Sequence, residues 1–407
     1  MKRNLLYAVV LGLYALAFHG CATMTTEKVG PTSIHQAQEE IPESQLLDVG
    51  IMAFESEVLT EEEAEDKGTH PDIRKAEGHF MGYHLKNTLQ QSSHWGAVRT
   101  IPGESPGTEL LVRGKILESN GEELIVKVEA LDATGRTWLS KAYEAEAEED
   151  SYEGLELGQK DVFQDLYNAI ANDMADFKDN LSPEEIEEIR TVARLRFAAD
   201  FAPDPFADYL AEDEKKGFSI TKLPAETDPM MERLLKIRNR DAMYLDTLNQ
   251  HYEWFYNEMW PAYESWREAN LVERQALRKM KRSAYMRQAA GALMMALAIA
   301  LGAGDVDNTG ALQNVLIVGG AAAIGSGINI SRQAKIHSAA IKELSESFGS
   351  EMKPVVMEFE GEKFELTGSA AEQYQRWRDL LHQIYYTETG FDPVPREEDQ
   401  PLDETQP

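Results

Sequence analysis

The chain has very little cysteine and comparatively little positive charge. Its 407 residues include one cysteine, Cys21, which excludes an intramolecular disulfide and a zinc site built from cysteines. Lys and Arg number 40 against 71 Asp and Glu, so the formal net charge is -31. Because such a surface repels phosphate backbones, we expect no nucleic-acid partner for the molecule as a whole.

The motifs of several enzyme classes are also missing. His79 and His84 are five residues apart, whereas metal ligands on one helix face usually lie three or four apart, and no H-E-x-x-H occurs. The glycine-rich run 315–325 lacks G-x-G-x-x-G spacing, and Ser326 lies outside a G-x-S-x-G motif. We therefore predict a protein that is not an enzyme, with no catalytic residues, no cofactor and no metal site.

The first 20 residues have the layout of a secretory signal peptide. Lys2 and Arg3 precede an apolar run, residues 5–18, that is too short for a comfortable permanent membrane anchor. The small residue Gly20 stands directly before Cys21. This pattern predicts cleavage between Gly20 and Cys21, and the alternatives are an uncleaved anchor or an ordinary secretory signal.

The segment Phe18-His19-Gly20-Cys21 resembles the lipobox of bacterial lipoproteins, in which signal peptidase cuts before a cysteine that carries a diacylglycerol. Gly20 and Cys21 fit that pattern, while Phe18 and His19 replace its usual Leu and small residue. The resemblance implies a Gram-negative lipoprotein precursor in which acylated Cys21 holds the chain in membrane lipid. Ala22, second in the mature chain, implies sorting to the outer membrane, with the protein on its periplasmic face.

Composition and periodicity divide the chain into seven predicted segments. These are a signal peptide (1–20), a lipidated flexible tether (21–45), an α+β periplasmic domain (46–180), a helical region (181–288), a Gly/Ala-rich hydrophobic hairpin (289–332), a helix with a β-hairpin and an amphipathic helix (333–390), and a disordered acidic tail (391–407). The predicted fold class is α+β. A small N-terminal α/β-sandwich-like domain is followed by a mostly α-helical region with a Gly/Ala-rich helical hairpin and a short β-hairpin.

Inside the α+β domain, alternating and helical periodicity predict four strands and two helices. The strands are 47–54, 110–117, 124–131 and 136–147, and the helices are 71–91 and 161–177. Asn120-Gly121 predicts a tight hairpin because both residues tolerate positive φ. This element order, with turns centred on Gly114 and Gly135, resembles the periplasmic domain shared by curli-secretion-type lipoproteins and lipoprotein activators of penicillin-binding proteins. The resemblance covers about a third of the chain and implies an accessory role in the envelope.

The helical region is predicted to contain one long helix, residues 228–287, interrupted or bent near Pro261. Its aromatic stripe favours a helix–helix core, and the alternative is a surface on which sugars stack. The stripe consists of Tyr244, Tyr252, Trp254, Phe255, Tyr256, Trp260, Tyr263 and Trp266.

Two apolar stretches, 289–304 and 315–330, have small residues at every fourth position, which places them on one helix face and allows close helix pairing. These predicted packing residues are Ala292, Ala296, Ala300 and Gly304 in the first stretch and Gly319, Ala323 and Gly327 in the second. Basic residues flank the two stretches. Three interpretations stay open: insertion into a membrane, a buried hairpin in a helical domain, and self-association into a homo-oligomer.

The leading functional hypothesis is a non-enzymatic, lipid-anchored envelope protein that acts as a periplasmic scaffold or as an assembly or recruitment factor for periplasmic or outer-membrane proteins. One alternative is an oligomeric secretion or pore component that inserts the 289–330 hairpin into a membrane. A second alternative is a hydrolase of envelope polymers that uses Asp and Glu side chains. The sequence does not single out one pair of carboxylates for such chemistry.

Overall fold

A computed structural model describes residues 26–57, 71–152, 160–213, 215, 217–300, 338–348, 355–359 and 362–390. It confirms the predicted α+β class. A seven-stranded mixed sheet lies in the N-terminal half, helices dominate the remainder, and two further pairs of strands form short antiparallel hairpins.

The large sheet contains seven strands: β1 Thr26–Lys28, β2 Val49–Met52, β3 Glu55–Ser56, β4 Val98–Ile101, β5 Leu110–Ser119, β6 Glu123–Asp132 and β7 Thr137–Glu146. Their order is β1-β7-β6-β5-β2-β4, and β3 pairs with β5 beside this path. Strands β5, β6 and β7 form an antiparallel meander. Strand β2 runs parallel to β4 and β5, and β1 runs parallel to β7. The small hairpins pair β8 Leu210–Asp213 with β9 Gly217–Ile220, and β10 Val355–Phe359 with β11 Glu362–Leu366.

The two turns of the meander depend on glycines with positive φ. Gly121 (φ 82°) turns the chain between β5 and β6, as predicted, and Gly135 (φ 91°) turns it between β6 and β7. The turn predicted at Gly114 is wrong, because Gly114 lies inside β5. The ring of Phe54 occupies the space that a Cβ of Gly114 would fill, so this glycine serves close packing rather than chain reversal.

The helices are α1 Pro71–Ser92, α2 Gln164–Asp179, α3 Pro183–Phe201, α4 Pro203–Phe206, α5 Pro229–Ala300, α6 residues 338–348 and α7 Ala370–Thr389. Capping boxes begin two of them. Ser182 and Glu185 exchange hydrogen bonds at the start of α3, and Ser369 and Glu372 do so at the start of α7. Gly390, in the left-handed region, ends α7.

Helix α5 is the longest element of the described chain. Its 72 residues correspond to about 108 Å at helical rise. The helix is not interrupted at Pro261, where the flanking side chains of Trp260 and Tyr263 are buried. It also continues beyond residue 288, so the predicted boundary between the helical region and the hydrophobic hairpin does not coincide with a helix end.

Two hydrophobic cores hold these elements together. The first lies between the sheet and helices α1, α2 and α3, and the second joins α1 and α3 to α5, α6 and α7. The aromatic stripe of α5 belongs to the second core, which confirms the core interpretation for all its members except Trp254, whose side chain is exposed.

Part of the predicted flexible tether is attached to the domain instead. Residues 26–28 form β1 on the edge of the sheet, paired with β7. Further along, the side-chain amides of Asn168 and Asn172 donate hydrogen bonds to the carbonyls of Thr32 and Ser33. Polar composition suggested a tether, but backbone pairing with an open strand edge requires no apolar side chains.

Candidate interaction site

The predicted site residues fall into two groups. Ala292, Ala296 and Ala300 lie in the last turns of α5. The signal-cleavage and lipidation residues Gly20 and Cys21, and the packing residues Gly304, Gly319, Ala323 and Gly327, lie outside the described residues. No helix in the described part of the chain combines the length and apolarity of a membrane span.

Helix α5 is fixed to the α+β domain by a buried ion pair that the sequence did not reveal. The guanidinium of Arg267 donates two hydrogen bonds to the carboxylate of Asp161, at 3.1 and 2.8 Å, and the two side chains are 2% and 0% exposed. Burial alone would raise the pKa of Asp161, but the charge and hydrogen bonds of the Arg267 guanidinium hold that pKa below its ordinary value. The pair therefore stays charged inside the protein and joins α5 to the segment before α2.

The buried carboxylate of Glu77 on α1 connects three elements. It accepts hydrogen bonds from the guanidinium of Arg74 at 3.0 Å, the hydroxyl of Ser119 at 2.6 Å and the phenol of Tyr263 at 2.8 Å. Since these donors come from α1, β5 and α5, Glu77 holds α5 to both a helix and the sheet. A carboxylate with three donors is stable in the interior without access to solvent.

His84 is a buried residue whose two ring nitrogens both have hydrogen-bond partners. Gln164 donates from its amide nitrogen to Thr88 and Asn168, so its oxygen accepts the N–H of His84 Nε2 at 2.9 Å. The Nδ1 atom of His84 then accepts from the phenol of Tyr256 at 2.6 Å. Burial lowers the pKa of His84, which keeps the ring neutral. No group of three potential metal ligands occurs among the described residues.

A shallow cleft of about 120 Å³ lies where the first turns of α5 pass the N-terminal ends of β2 and β5. Its charged side chains are held in ion pairs. Arg99 pairs with Asp48 at 3.4 Å and with Asp246, outside the cleft, at 2.6 Å. Arg238 pairs with Glu109 at 2.9 Å, and Asp241 pairs with Arg378 of α7 at 3.5 Å. The pairs of Arg99 with Asp246 and of Arg238 with Glu109 join the sheet side of the cleft to α5, so the cleft lies on a seam between these elements.

The C-terminal part of α5 leaves the domain at the turn between β5 and β6. Glu122 in that turn binds Arg274 and Arg278. Beyond these contacts Lys279, Arg282, Met280 and Met286 are exposed, and the two methionines are 43% and 63% accessible. We call residues 279–300 the arm, and the Lys279–Arg282–Met286 surface its basic face.

The charge of this region is opposite to that of the rest of the chain. Between residues 274 and 342 the sequence contains nine Lys and Arg residues but only two acidic ones, Asp305 and Asp307. The whole chain contains 71 acidic residues. The first part of the region, 274–287, has six basic residues and no acidic one, and it is followed by the uncharged stretch 288–304. The arm therefore joins a cationic segment to an apolar one in a single helix.

After the predicted hairpin the chain returns to the domain through α6. Phe348 of α6 is buried, with its ring stacked on His251 at 4.9 Å and edge-on to His79 at 4.8 Å. Phe255 of α5 contacts the same ring at 4.3 Å. Burial, with Lys75 and His251 nearby, lowers the pKa of His79 to about 4, so the ring that meets Phe348 is neutral at pH 7.

Comparison with protein-family models, with curated proteins and with solved structures gave no match for this chain. The resemblance to envelope lipoproteins therefore stays a prediction from the sequence.

Proposed function

We propose that this chain is a non-enzymatic, lipid-anchored protein of the outer membrane that acts on its periplasmic face as a scaffold or recruitment factor. The observation that carries the proposal is the N-terminal sequence, in which a charged and apolar signal ends at Gly20-Cys21. The surface that would recruit periplasmic or outer-membrane proteins is the acidic exterior of the folded body.

The attachment of β1 to the sheet supports a membrane anchor that lies close to the folded domain. Cys21 lies five positions before Thr26, and an extended chain spans at most about 17 Å over that distance. An acylated Cys21 would therefore hold the edge of the sheet near the membrane surface.

Membrane fractionation in a Gram-negative host tests the proposal. After a high-salt wash, which releases contacts with lipid headgroups, we expect the wild-type chain in the outer membrane and the Cys21→Ala variant in the soluble periplasmic fraction. Thr23→Ala, which alters a neighbouring residue and keeps Cys21, is the matched control and should fractionate like wild type. A Cys21→Ala variant that is exported, cleaved and distributed like wild type would show that Cys21 is not the anchor. Mass spectrometry of the N-terminal peptide gives a direct readout of acylation.

A second candidate function is an oligomeric membrane-inserting component that uses the 289–330 stretch. It is supported by the course of α5, which runs without a break from the aromatic core into the apolar residues 289–300. Alkaline carbonate extraction of the cleaved Cys21→Ala variant distinguishes the two. Retention in the membrane pellet favours insertion, and complete release favours the scaffold.

A further inference from the structure

We propose that the basic face of the arm binds the headgroups of anionic phospholipids. This contact does not depend on Cys21 and goes beyond the proposed function. Lys279, Arg282 and Met286 are spaced by three and four residues, which places them on one side of α5, and all three are exposed. Two cations beside a methionine form a surface with both charge and apolar area.

The position of the basic face keeps it apart from the acidic body. Glu122 pairs with Arg274 and Arg278 at the edge of the sheet, which leaves these three side chains with one net positive charge. Lys279 and Arg282 stand one and four residues beyond Arg278, about 1.5 and 6 Å along the helix, and Met286 stands about 12 Å beyond it. The screening length at physiological ionic strength is about 8 Å, so the negative charge of the body is partly screened at Arg282 and largely screened at Met286. An anionic partner can therefore approach the arm although the whole chain carries a charge of -31.

The sequence of the arm favours a lipid surface over an acidic protein. Directly after the cationic segment, residues 288–300 contain no charged side chain and consist largely of Ala, Leu, Met and Ile. Cations followed by an apolar stretch on one helix match the order of headgroup and acyl chain that a membrane presents. An acidic protein surface would satisfy the cations but would offer nothing to the apolar stretch.

Co-sedimentation with vesicles tests this inference on the chain from residue 21 onwards, with Cys21→Ala and without the signal segment 1–20. We expect binding to vesicles that contain phosphatidylglycerol, weaker binding to pure phosphatidylcholine, and a decrease in binding as salt is raised. Each near-surface cation strengthens binding about five-fold, so Lys279→Glu with Arg282→Glu should weaken binding to phosphatidylglycerol vesicles by at least about 30-fold.

The matched control carries the same change of charge elsewhere. Lys215 and Lys236 are exposed, and Lys236 lies on α5 itself. Lys215→Glu with Lys236→Glu should bind nearly as wild type does. Both double variants replace exposed side chains, and their far-ultraviolet circular dichroism should match that of the parent.

Three results would overturn the inference. One is equal binding to the two vesicle types. Another is an equal loss of binding in Lys279→Glu with Arg282→Glu and in the control. The third is self-association without lipid, in which light scattering gives a mass above that of one chain for the parent but not for Lys279→Glu with Arg282→Glu. That result would assign the basic face to a second copy of this chain.

Discussion

Removal of the Asp161 carboxylate should weaken the attachment of α5 to the domain more than any surface change. In the Asp161→Ala variant the guanidinium of Arg267 stays in a site where its side chain is 2% exposed. The neighbouring rings of Tyr263 and Phe163, with centroids 4.3 and 5.8 Å from the guanidinium, offer it no acceptor of equal strength. Loss of one partner from a buried pair costs about 3–5 kcal/mol.

Urea unfolding at pH 7, followed by far-ultraviolet circular dichroism, measures this cost. Glu187→Ala is the control, because Glu187 also pairs with an arginine, Arg194, at 2.6 Å but is 53% exposed. An exposed pair contributes at most about 1 kcal/mol, so the control should unfold close to wild type.

A double variant separates the pair from its packing. Asp161→Leu with Arg267→Met replaces both charges by apolar groups of similar volume, and such replacements are often neutral or stabilising. We therefore expect the double variant to be more stable than Asp161→Ala. If Asp161→Ala unfolds no earlier than Glu187→Ala, the ion pair does not hold α5 in place and the argument from burial is wrong.

Three further predictions concern single positions. Gly121→Ala should destabilise the protein by about 2 kcal/mol or more in urea unfolding, because Gly121 has a φ of 82° and the carbonyl oxygen of Arg267 occupies the place of the new Cβ. Gly103→Ala is the control and should have little effect, because the space around Gly103 is open. Burial lowers the pKa of His79 from 6.5 to about 4, so the unfolded chain binds the proton at higher pH and stability falls as the pH is lowered through this window. Between pH 7 and pH 5 the free energy of unfolding of His79→Leu should therefore fall by about 2 kcal/mol less than that of wild type, measured by urea unfolding at both pH values. Ser182→Ala removes the cap of α3 and should cost about 1 kcal/mol in the same assay, unless the backbone N–H of Glu185 finds another acceptor.

The sequence predicted the elements whose signal is periodic. Strand β6 alternates buried and half-buried residues along its whole length, and the predicted strand 124–131 matches it within a residue at each end. Helices α1 and α2 match the predicted helices 71–91 and 161–177 within three residues at each end. In these segments local propensity and tertiary burial favour the same structure.

The missed elements are short or polar. Strand β1 has the sequence Thr-Glu-Lys and is exposed throughout, so nothing in it except its partner β7 makes it a strand. Strand β4 has the sequence Val-Arg-Thr-Ile, in which apolar and polar residues do not alternate, so periodicity does not identify it. Strands β8 and β9 lie in the predicted helical region, where no strand was expected.

The contacts that hold α5 in place also could not be predicted from the sequence. Asp161 and Arg267 are 106 residues apart, and nothing in either neighbourhood distinguishes them from the many exposed charges of the chain. The cationic segment of the arm, by contrast, was visible as residues flanking the apolar stretches. The structure adds that Lys279 and Arg282 are exposed on a continuous helix beyond the domain.

The lipid anchor and the arm are directed to opposite ends of the sheet. Strand β1 runs parallel to β7, with Thr26 beside Ala142, so the chain enters β1 from the Thr137 end of β7. The arm departs from the other end, at the Glu122 turn beside Glu146. That end lies four residues, or about 13 Å, beyond the level of Thr26. An acylated Cys21 and the basic face would therefore reach one membrane only if the sheet lay with its β1 edge along the bilayer, which would leave the opposite edge, strand β4, to face a periplasmic partner.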